Sequence, residues 1–104
     1  MVLLRIVSDN ESQMEKIAGW LLQDKLAIDV NLKRNIERWN WHKEQIQKLS
    51  VFLLEAKTKA LLFPKIDQLI LEKFGDNVPE IYSLPIVDMD WEQAKVLKDS
   101  VERI

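Results

Sequence analysis

Hydrophobic and polar residues follow two different periods along this chain, and the two periods predict strands and helices in turn. An apolar run at Leu3–Val7 predicts a short strand that is buried on both faces. Apolar residues at helical spacing follow this strand. We therefore expect a helix that begins with a capping box at Ser8 or at Asn10 and ends near Lys25. The apolar stripe of this helix consists of Met14, Ile17, Ala18, Leu21 and Leu22.

The middle of the chain predicts a long hairpin. Apolar and polar residues alternate over Ile28–Trp41, and a break in the alternation at residues 34–35 predicts a bulge or a short loop. After a polar turn, Ile46–Lys57 predicts a second long strand. Phe52 and Leu54 belong to a stretch of this strand that is apolar on both faces. We expect one face to meet the protein's own helices and the other to meet a partner subunit.

The rest of the chain predicts a helix, a strand and a last helix. Thr58 is the candidate N-cap of the second helix, and Gly75 is its candidate C-terminal stop. Val78–Val87 has a proline near each end, a pattern that suits a strand at the edge of a sheet. The last, short helix has Trp91 on its buried side.

This order of elements, β-α-β-β-α-β plus a C-terminal helix, predicts an α+β fold of the ferredoxin-like type. In that arrangement the sheet is antiparallel and the helices pack on one of its faces. The length of 104 residues suits one domain, residues 1–104.

Composition narrows the classes of function. The net charge of −2 comes from 15 basic and 17 acidic residues that are mixed along the chain, so we do not expect nucleic acid as a partner. The chain has no cysteine, which excludes disulfides, thiolate metal sites and a cysteine nucleophile. No apolar run reaches the length of a membrane span or of a signal peptide. These features predict a cytoplasmic protein without a membrane segment.

Four segments, in order, resemble the CutA divalent-ion-tolerance family. Lys25–Asn31 resembles the family's K-L-A-A-C-V-N stretch, and Trp39–Trp41 resembles its aromatic-x-Trp hairpin segment. Leu53–Thr58 resembles an apolar strand that ends in Lys-Thr, and Val78–Ile81 matches V-P-E-I. The resemblance covers nearly the whole chain, because the order and the spacing of the segments fit as well.

The resemblance implies an interlocked homotrimer, related in shape to PII-like signalling proteins, that binds copper or another divalent cation. The sequence departs from the family where a metal would be bound. Asp29 stands in place of the family's Cys, and Phe74 stands in place of the His of its H-P-Y segment. A thiolate and an imidazole are the ligands that suit copper best. The cofactor is therefore unknown, and we expect at most weak binding of a divalent cation by carboxylates.

Three residues are candidate metal ligands, and each has a simpler interpretation. Asp29 is either a carboxylate in a cleft or a solvent-facing partner in an ion pair. His42, the only histidine, is either a ligand or an exposed turn residue. Glu80 either lines a lateral cleft or pairs with Lys57, which also ends a predicted strand.

The remaining candidates belong to a subunit interface or to a cleft. Trp39 and Trp41 lie two residues apart and share one strand face, where they either stack on a planar ligand or are buried between subunits. The complete set of interface or cleft candidates is Trp39, Trp41, Phe52, Leu54, Lys57 and Trp91.

Two functions are open at this point. The first is a CutA-like homotrimer that binds a divalent cation or a small anion in clefts between subunits. The second is a PII-like signalling or scaffold trimer, whose ligand is a small metabolite or whose partner is a protein that the sequence does not identify. An enzyme is not expected, because the chain has no P-loop, no H-E-x-x-H motif and no nucleophile elbow.

Overall fold

The computed structural model of the protein describes residues 1–101 and contains the predicted alternation of strands and helices. The elements are β1 (Val2–Ser8), α1 (Glu11–Gln23), β2 (Ile28–His42), β3 (Gln45–Thr58), α2 (Phe63–Phe74), β4 (Glu80–Pro85) and α3 (Trp91–Ser100). Short 3-10 turns at Ala60–Leu62 and Gly75–Asn77 precede and follow α2. Residues 102–104 of the predicted domain lie outside the described residues.

The strands form one antiparallel sheet in the order β2-β3-β1-β4. This order is that of the split βαβ arrangement, so the α+β, ferredoxin-like prediction is confirmed. β4 lies at an edge of the sheet, as its prolines indicated, since a proline has no N–H with which to pair a further strand. The strand is shorter than predicted and ends at Pro85.

One face of the sheet carries the main hydrophobic core. Leu4 and Ile6 of β1 lie opposite Ala56 and Leu54 of β3, and each of these side chains is at most 1% exposed. The helices cover this face and contribute the following buried residues: Met14, Ile17, Leu21, Ile66, Ile70 and Leu97. The layer of helices therefore lies on one side of the sheet only.

The core corrects the expectation that Phe52 and Leu54 meet a partner subunit. Leu54 is fully buried in the protomer's own core, and Phe52 packs against the same cluster. Val51 and Leu53, which alternate with them along β3, belong to a second cluster. The outward face of the strand is therefore the one that carries Val51 and Leu53.

Hydrogen bonds at the start of α1 and at the end of β3 test the predicted N-caps of the first two helices. Asn10 is the N-cap of α1, because its side chain accepts a hydrogen bond from the Gln13 amide at 3.1 Å. Thr58 is not the N-cap of α2, which was the prediction. It ends β3 fully buried, and its hydroxyl donates to the carbonyl of Leu26 at 2.6 Å. The bond ties the end of β3 to the connection between α1 and β2.

The β2–β3 hairpin is longer than the rest of the sheet. β2 has 15 residues and β3 has 14, whereas β1 has seven and β4 has six. Lys43 and Glu44 form the turn, with φ angles of 50° and 63°, the left-handed conformation that two-residue hairpin turns use. The molecule extends 46 Å along its longest axis.

Two shifts of register interrupt the hairpin. One lies between Lys33 and Ile36, where the break in alternation predicted it, and Asn35 there has a φ of 58°. The other lies between Ile28 and Asn31 and was not predicted; Asp29 there has a φ of 52°. Asn and Asp tolerate this left-handed conformation better than other L-residues. Each shift changes which side chains share a face of the strand.

Arg34 connects the hairpin to the helical layer. Its Nε donates to Glu11 at 2.8 Å, and its Nη2 donates to Glu15 at 3.3 Å. The hydrogen bond that Arg34 donates to Glu11 is the main reason why the pKa of the Arg34 guanidinium is raised above its ordinary value. The two carboxylates thus favour the charged form of the guanidinium.

We predict that Thr58→Val lowers the free energy of unfolding by about 1–2 kcal/mol, because it leaves the buried Leu26 carbonyl without its hydroxyl partner. Urea unfolding measures the change. Ser50→Ala on the same strand is the control, because Ser50 is exposed and the substitution is expected to change stability by less than about 0.5 kcal/mol. Equal midpoints for the two variants would show that the buried hydrogen bond contributes nothing.

Candidate functional site

A cleft opens at the edge of the sheet where β1 ends, α1 begins and the chain enters β4. Its volume is about 390 Å³. We name it the β1–β4 cleft, and its lining residues are Val7, Ser8, Asp9, Asn10, Gln13, Asp76, Asn77, Val78, Pro79 and Glu80. The residues come from two distant parts of the sequence, which the fold brings together.

A chain of hydrogen bonds holds the two sides of this cleft together. The Ser8 hydroxyl donates to Gln13 Oε1 at 2.7 Å, and it accepts from the Asn10 amide at 3.0 Å. Gln13 Nε2 in turn donates to the carbonyl of Asn77 at 2.5 Å. Gln13 is only 6% exposed, so both of its bonds are part-buried. The side chain fixes the start of α1 against the segment that leads into β4.

The ligating atoms of the cleft are all oxygens. Asp9, Asp76 and Glu80 supply carboxylates, while Ser8 and Asn77 add a hydroxyl and carbonyls. Oxygen donors of this kind suit hard cations such as Mg²⁺, Mn²⁺ and Ca²⁺ rather than copper. Within residues 1–101, however, no three His, Cys, Asp or Glu side chains converge closely enough to hold a metal ion.

Glu80, a predicted ligand, already has a positively charged neighbour. Arg38 Nη1 on β2 donates to Glu80 Oε2 at 2.9 Å. Both side chains are partly exposed, at 35% for Arg38 and 50% for Glu80. The predicted pairing of Glu80 with Lys57 does not occur, because Glu80 lies opposite Val7 on β1 whereas Lys57 lies opposite Leu3.

Asp29 and His42 lie in other places. Asp29 occupies the unpredicted bulge of β2, and its carboxylate is 3.9 Å from Lys57 Nζ. Its side chain is 57% exposed. His42 ends β2 beside the turn of the hairpin and is exposed. One protomer therefore does not bring Asp29, His42 and Glu80 together.

The second face of the sheet carries a mixed apolar and charged surface, which we call the open face. Val7, Val51 and Leu53 form its apolar centre, with Ile36, Leu49 and Tyr82 packed around them. Arg5 lies next to this centre, with its guanidinium 5.5 Å from the centroid of the Tyr82 ring. Arg5 and Val7 extend from β1 on the side opposite to the helices, because they alternate with the core residues Leu4 and Ile6.

Arg5 was missed at the level of the sequence. Its Nε is 3.5 Å from Glu55 Oε2, and Glu55 also pairs with Lys33 at 2.7 Å. The Arg5 Nε is buried and has no hydrogen-bond partner in the part of the chain that the structure describes. The signal was present in the sequence, since a charged residue interrupts the apolar run Leu3–Val7.

The tryptophans of the hairpin and of α3 are exposed. Trp39 and Trp41 are 63% and 74% exposed, and Ile46, opposite Trp41, is 64% exposed. Lys48 Nζ lies 5.1 Å from the centroid of the Trp39 ring. Trp91 is 81% exposed, so its predicted place on the buried side of α3 is wrong. It begins that helix directly after the N-cap, and Leu97 supplies the buried side instead.

Comparison with known proteins assigns this architecture to a family. The sequence model of the family described as CutA1 divalent ion tolerance protein matches residues 2–100. The chain belongs to the CutA1 family. Its four-stranded antiparallel sheet and its hairpin agree with the resemblance of its sequence segments to CutA. The family is described by tolerance of divalent ions and not by a catalysed reaction.

Two curated CutA proteins are similar in sequence. Protein CutA 1, chloroplastic, from rice (Oryza sativa subsp. japonica) is 26% identical over 99 residues, which cover 95% of this chain but 56% of the rice protein. The chain thus spans little more than half the length of that relative. The divalent-cation tolerance protein CutA of Thermus thermophilus is 29% identical over 92 residues, which cover 83% of this chain and 88% of that protein.

Solved CutA structures have the same fold. The CutA1 structure from Oryza sativa superposes with a TM-score of 0.87 at 25% identity, over 99% of this chain and 94% of that one. The periplasmic divalent cation tolerance protein CutA from Archaeoglobus fulgidus superposes with a TM-score of 0.84 at 25% identity. The superposition covers 98% of this chain and 100% of the Archaeoglobus chain.

The relatives contradict the prediction of a cytoplasmic protein. The rice relative is named chloroplastic and the Archaeoglobus protein is named periplasmic, so CutA1 proteins occur outside the cytoplasm. The prediction was based on the lack of cysteine and of a long apolar run in the sequence, and these features do not separate the compartments. None of the helices within residues 1–101 is long and apolar enough to cross a membrane.

We predict that Gln13→Leu loosens the β1–β4 cleft and lowers the free energy of unfolding by about 0.5–1.5 kcal/mol, because the part-buried hydrogen bond from Gln13 to the Asn77 carbonyl is lost. Hydrogen exchange of the amides in Gly75–Asn77 is expected to become faster. Gln68→Leu is the control, because Gln68 lies exposed on α2 and its side chain donates to the exposed side chain of Glu72. The role given to Gln13 is wrong if both variants leave exchange in this segment unchanged.

Proposed function

We propose that this CutA1 protein acts as a homotrimer that binds a hard divalent cation weakly through carboxylates, and that it is not an enzyme. The observation that carries the proposal is the β1–β4 cleft, which offers only oxygen ligands in a chain of the divalent-ion-tolerance family. In this proposal the protein binds a divalent cation, as the family's description suggests, but through oxygen atoms in place of sulfur and nitrogen.

The open face supports assembly. Val7, Val51 and Leu53 lie on a sheet surface that no helix covers, and an antiparallel sheet with apolar residues on both faces needs a cover on each. The buried Arg5 Nε, which has no hydrogen-bond partner within residues 1–101 although Glu55 lies 3.5 Å away, points the same way, because an acceptor on a second copy would recover the free energy of the missing hydrogen bond. We propose that this face is the centre of the trimer.

The hairpin supports an interlocked form of that trimer. Its far end carries Trp39, Trp41 and Ile46, all more than 60% exposed. Exposed aromatic residues close together are typical of protein interfaces. The length of β2 and β3 carries these side chains beyond the protomer's own core, where another copy can cover them. Trp91 is a candidate for the same contact area.

Assembly also bears on the metal ligands. Within one protomer Glu80 lies at one end of β1, Asp29 lies near the other end, and His42 lies at the tip of the hairpin. A site that uses more than one of them takes them from different copies. We propose that Glu80 in the β1–β4 cleft is the primary ligand and that Asp29 or His42 of another copy completes the coordination.

The position of His42 supports a binding role rather than a catalytic one. It is the only histidine, and it is exposed beside a two-residue turn. A general base or a nucleophile needs a neighbour that orients it in a water-poor site, and the hairpin tip supplies neither burial nor such a neighbour.

For assembly, we predict that Leu53→Glu abolishes the trimer and also destabilises the protomer, because it places a charge at the centre of the open face, where Leu53 is only 6% exposed within one protomer. Light scattering after size exclusion gives the mass, and far-UV circular dichroism checks the fold. Tyr82→Glu, on the edge strand of the same face, is a second variant that disturbs the core less.

The matched control is Leu61→Glu, which makes the same change at a leucine that is 72% exposed in the 3-10 turn before α2. It is expected to remain trimeric. A trimer of unchanged mass and melting temperature with both Leu53→Glu and Tyr82→Glu would exclude the open face as the interface.

For the cation, we predict that Mn²⁺ binds with a dissociation constant on the order of 10⁻⁴–10⁻³ M, the range of weak oxygen sites. The electron paramagnetic resonance signal of free Mn²⁺ measures binding, and native mass spectrometry gives the number of ions per trimer. Glu80→Ala is expected to weaken binding at least about fivefold. Asp29→Ala and His42→Ala test which residue completes the site.

Glu37→Ala is the control, because Glu37 is as exposed as Glu80 and is likewise paired with one basic residue, Lys48, at 2.9 Å. Equal loss with Glu37→Ala and Glu80→Ala would mean that Mn²⁺ responds to overall charge only. A trimer that takes up no Mn²⁺ would refute the cation site and leave a PII-like signalling or scaffold role.

A further inference from the structure

We propose that the outer surface of the helical layer binds a small planar anion, of the aromatic carboxylate class, in a pocket between α1 and α2. This site, which we name the Trp20 pocket, has a volume of about 270 Å³ and is lined by Lys16, Ile17, Trp20, Lys73 and Phe74. It shares no residue with the β1–β4 cleft, so the inference is independent of the proposed function.

The floor of the Trp20 pocket is apolar and firmly held. Ile17 is fully buried in the main core, and Trp20 and Phe74 are half-buried against the same core. A tryptophan held in this way presents one face of its indole in a fixed orientation. Such a face favours a flat, apolar ligand body that can stack on it.

Two lysines give the pocket its charge. Lys73 Nζ lies 5.3 Å from the centroid of the Trp20 ring, and Lys16 lies one helical turn before Trp20 on α1. Neither lysine forms an ion pair with a carboxylate within residues 1–101. The protein as a whole has a net charge of −2, so two free ammonium groups beside one indole are a local feature.

The acidic neighbours in sequence are engaged elsewhere. Glu15, next to Lys16, pairs with Arg34 at 3.3 Å on the side of the hairpin. Glu72, next to Lys73, accepts a hydrogen bond from Gln68 one turn earlier on α2, also at 3.3 Å. No acidic residue lines the pocket. A carboxylate that enters it therefore meets two positive groups and no negative one.

The size and the lining together define the class of ligand. A volume of about 270 Å³ lies just below the ~300 Å³ at which sites for drug-sized molecules begin. One or two fused aromatic rings with a single carboxylate match the indole face and the flanking ammonium groups. Inorganic phosphate would use the charge and not the indole, and a neutral aromatic would use the indole and not the charge.

A purely structural role explains only part of this arrangement. Lys73 lies in the last turn of α2, where a cation is favourable whatever it binds. Lys16 lies in the middle of α1, where the helix dipole gives no such reason. The presence of both lysines in the lining of one pocket, with Lys73 over the Trp20 ring, is what the binding proposal accounts for.

The test uses the full chain labelled with 5-fluorotryptophan, which gives one ¹⁹F signal for each of its four tryptophans. Trp20→Phe identifies the Trp20 signal. Titration with 2-naphthoate is expected to shift that signal to saturation. The neutral analogue 2-naphthamide should bind at least about tenfold more weakly, because it lacks the charge-assisted hydrogen bonds, and phosphate should leave the signal in place.

Charge variants complete the test. Lys16→Gln and Lys73→Gln are each expected to weaken 2-naphthoate at least about threefold, since each removes one of the two charges. Lys98→Gln on α3 is the matched control and should bind like the unmodified protein. Thermal unfolding shows whether each variant is folded, as expected for substitutions of exposed lysines.

Three results would overturn the proposal. The first is a Trp20 signal that 2-naphthoate does not shift. The second is a shift that 2-naphthamide produces with equal affinity, which would indicate an apolar surface without anion recognition. The third is unchanged affinity in both Lys16→Gln and Lys73→Gln, which would leave Lys73 with its role at the helix end alone.

Discussion

The sheet of this protein carries apolar side chains on both faces, whereas its helices cover one face only. On the uncovered side Val7, Val51 and Leu53 are still no more than 6% exposed. Their neighbours explain this burial, because the long side chains of Arg5 and Arg38 and the ring of Tyr82 lie over the same surface. Stems of charged residues can shield apolar surface in this way while their charged ends stay partly hydrated. The buried Arg5 Nε lies on this same uncovered face.

The elements and their order could be predicted from the sequence because they depend on local patterns. The helical spacing of Met14, Ile17 and Leu21 and the polar turn near Lys43 are properties of neighbouring residues. The same holds for β4, since its prolines exclude a central strand wherever it lies. The bulge at Asn35 was predictable for the same reason, as it interrupts the alternation directly.

The direction of individual side chains could not be predicted in the same way. A period of two divides β3 into two faces but does not say which face meets the helices. Leu54 was therefore assigned to the interface and Leu53 was not, whereas the pairing of Leu54 with Ile6 places Leu54 in the core. Trp91 was predicted on the buried side of the last helix but is exposed. A large apolar residue at the start of a short helix need not face the core.

The candidate site needed the fold as well. Asn10 could be recognised as a helix cap from the sequence, but its neighbours in the cleft, Asp76 and Asn77, follow α2 more than sixty positions later. The side chain that joins the two segments is Gln13, whose bond to the Asn77 carbonyl spans 64 positions. The predicted Glu80 lies in this cleft, whereas Asp29 lies near the other end of β1, beside Lys57.

The charges around Glu80 bear on how tightly a cation can bind there. Arg38 neutralises the carboxylate, and an incoming divalent ion has to displace it. Because both partners are partly exposed, such a pair is worth at most about 1 kcal/mol, so its loss weakens binding by a factor of about five.

The separation of the carboxylates costs more binding free energy than the loss of this ion pair. Each carboxylate that does not reach the ion is replaced by a water molecule, so the ion has one negatively charged ligand fewer. The affinity for hard cations depends on the number of such charged ligands. The weak binding that we propose thus follows from how the protomer spaces its carboxylates, and the proposed assembly of several copies is the route by which the same residues would bind a cation more tightly.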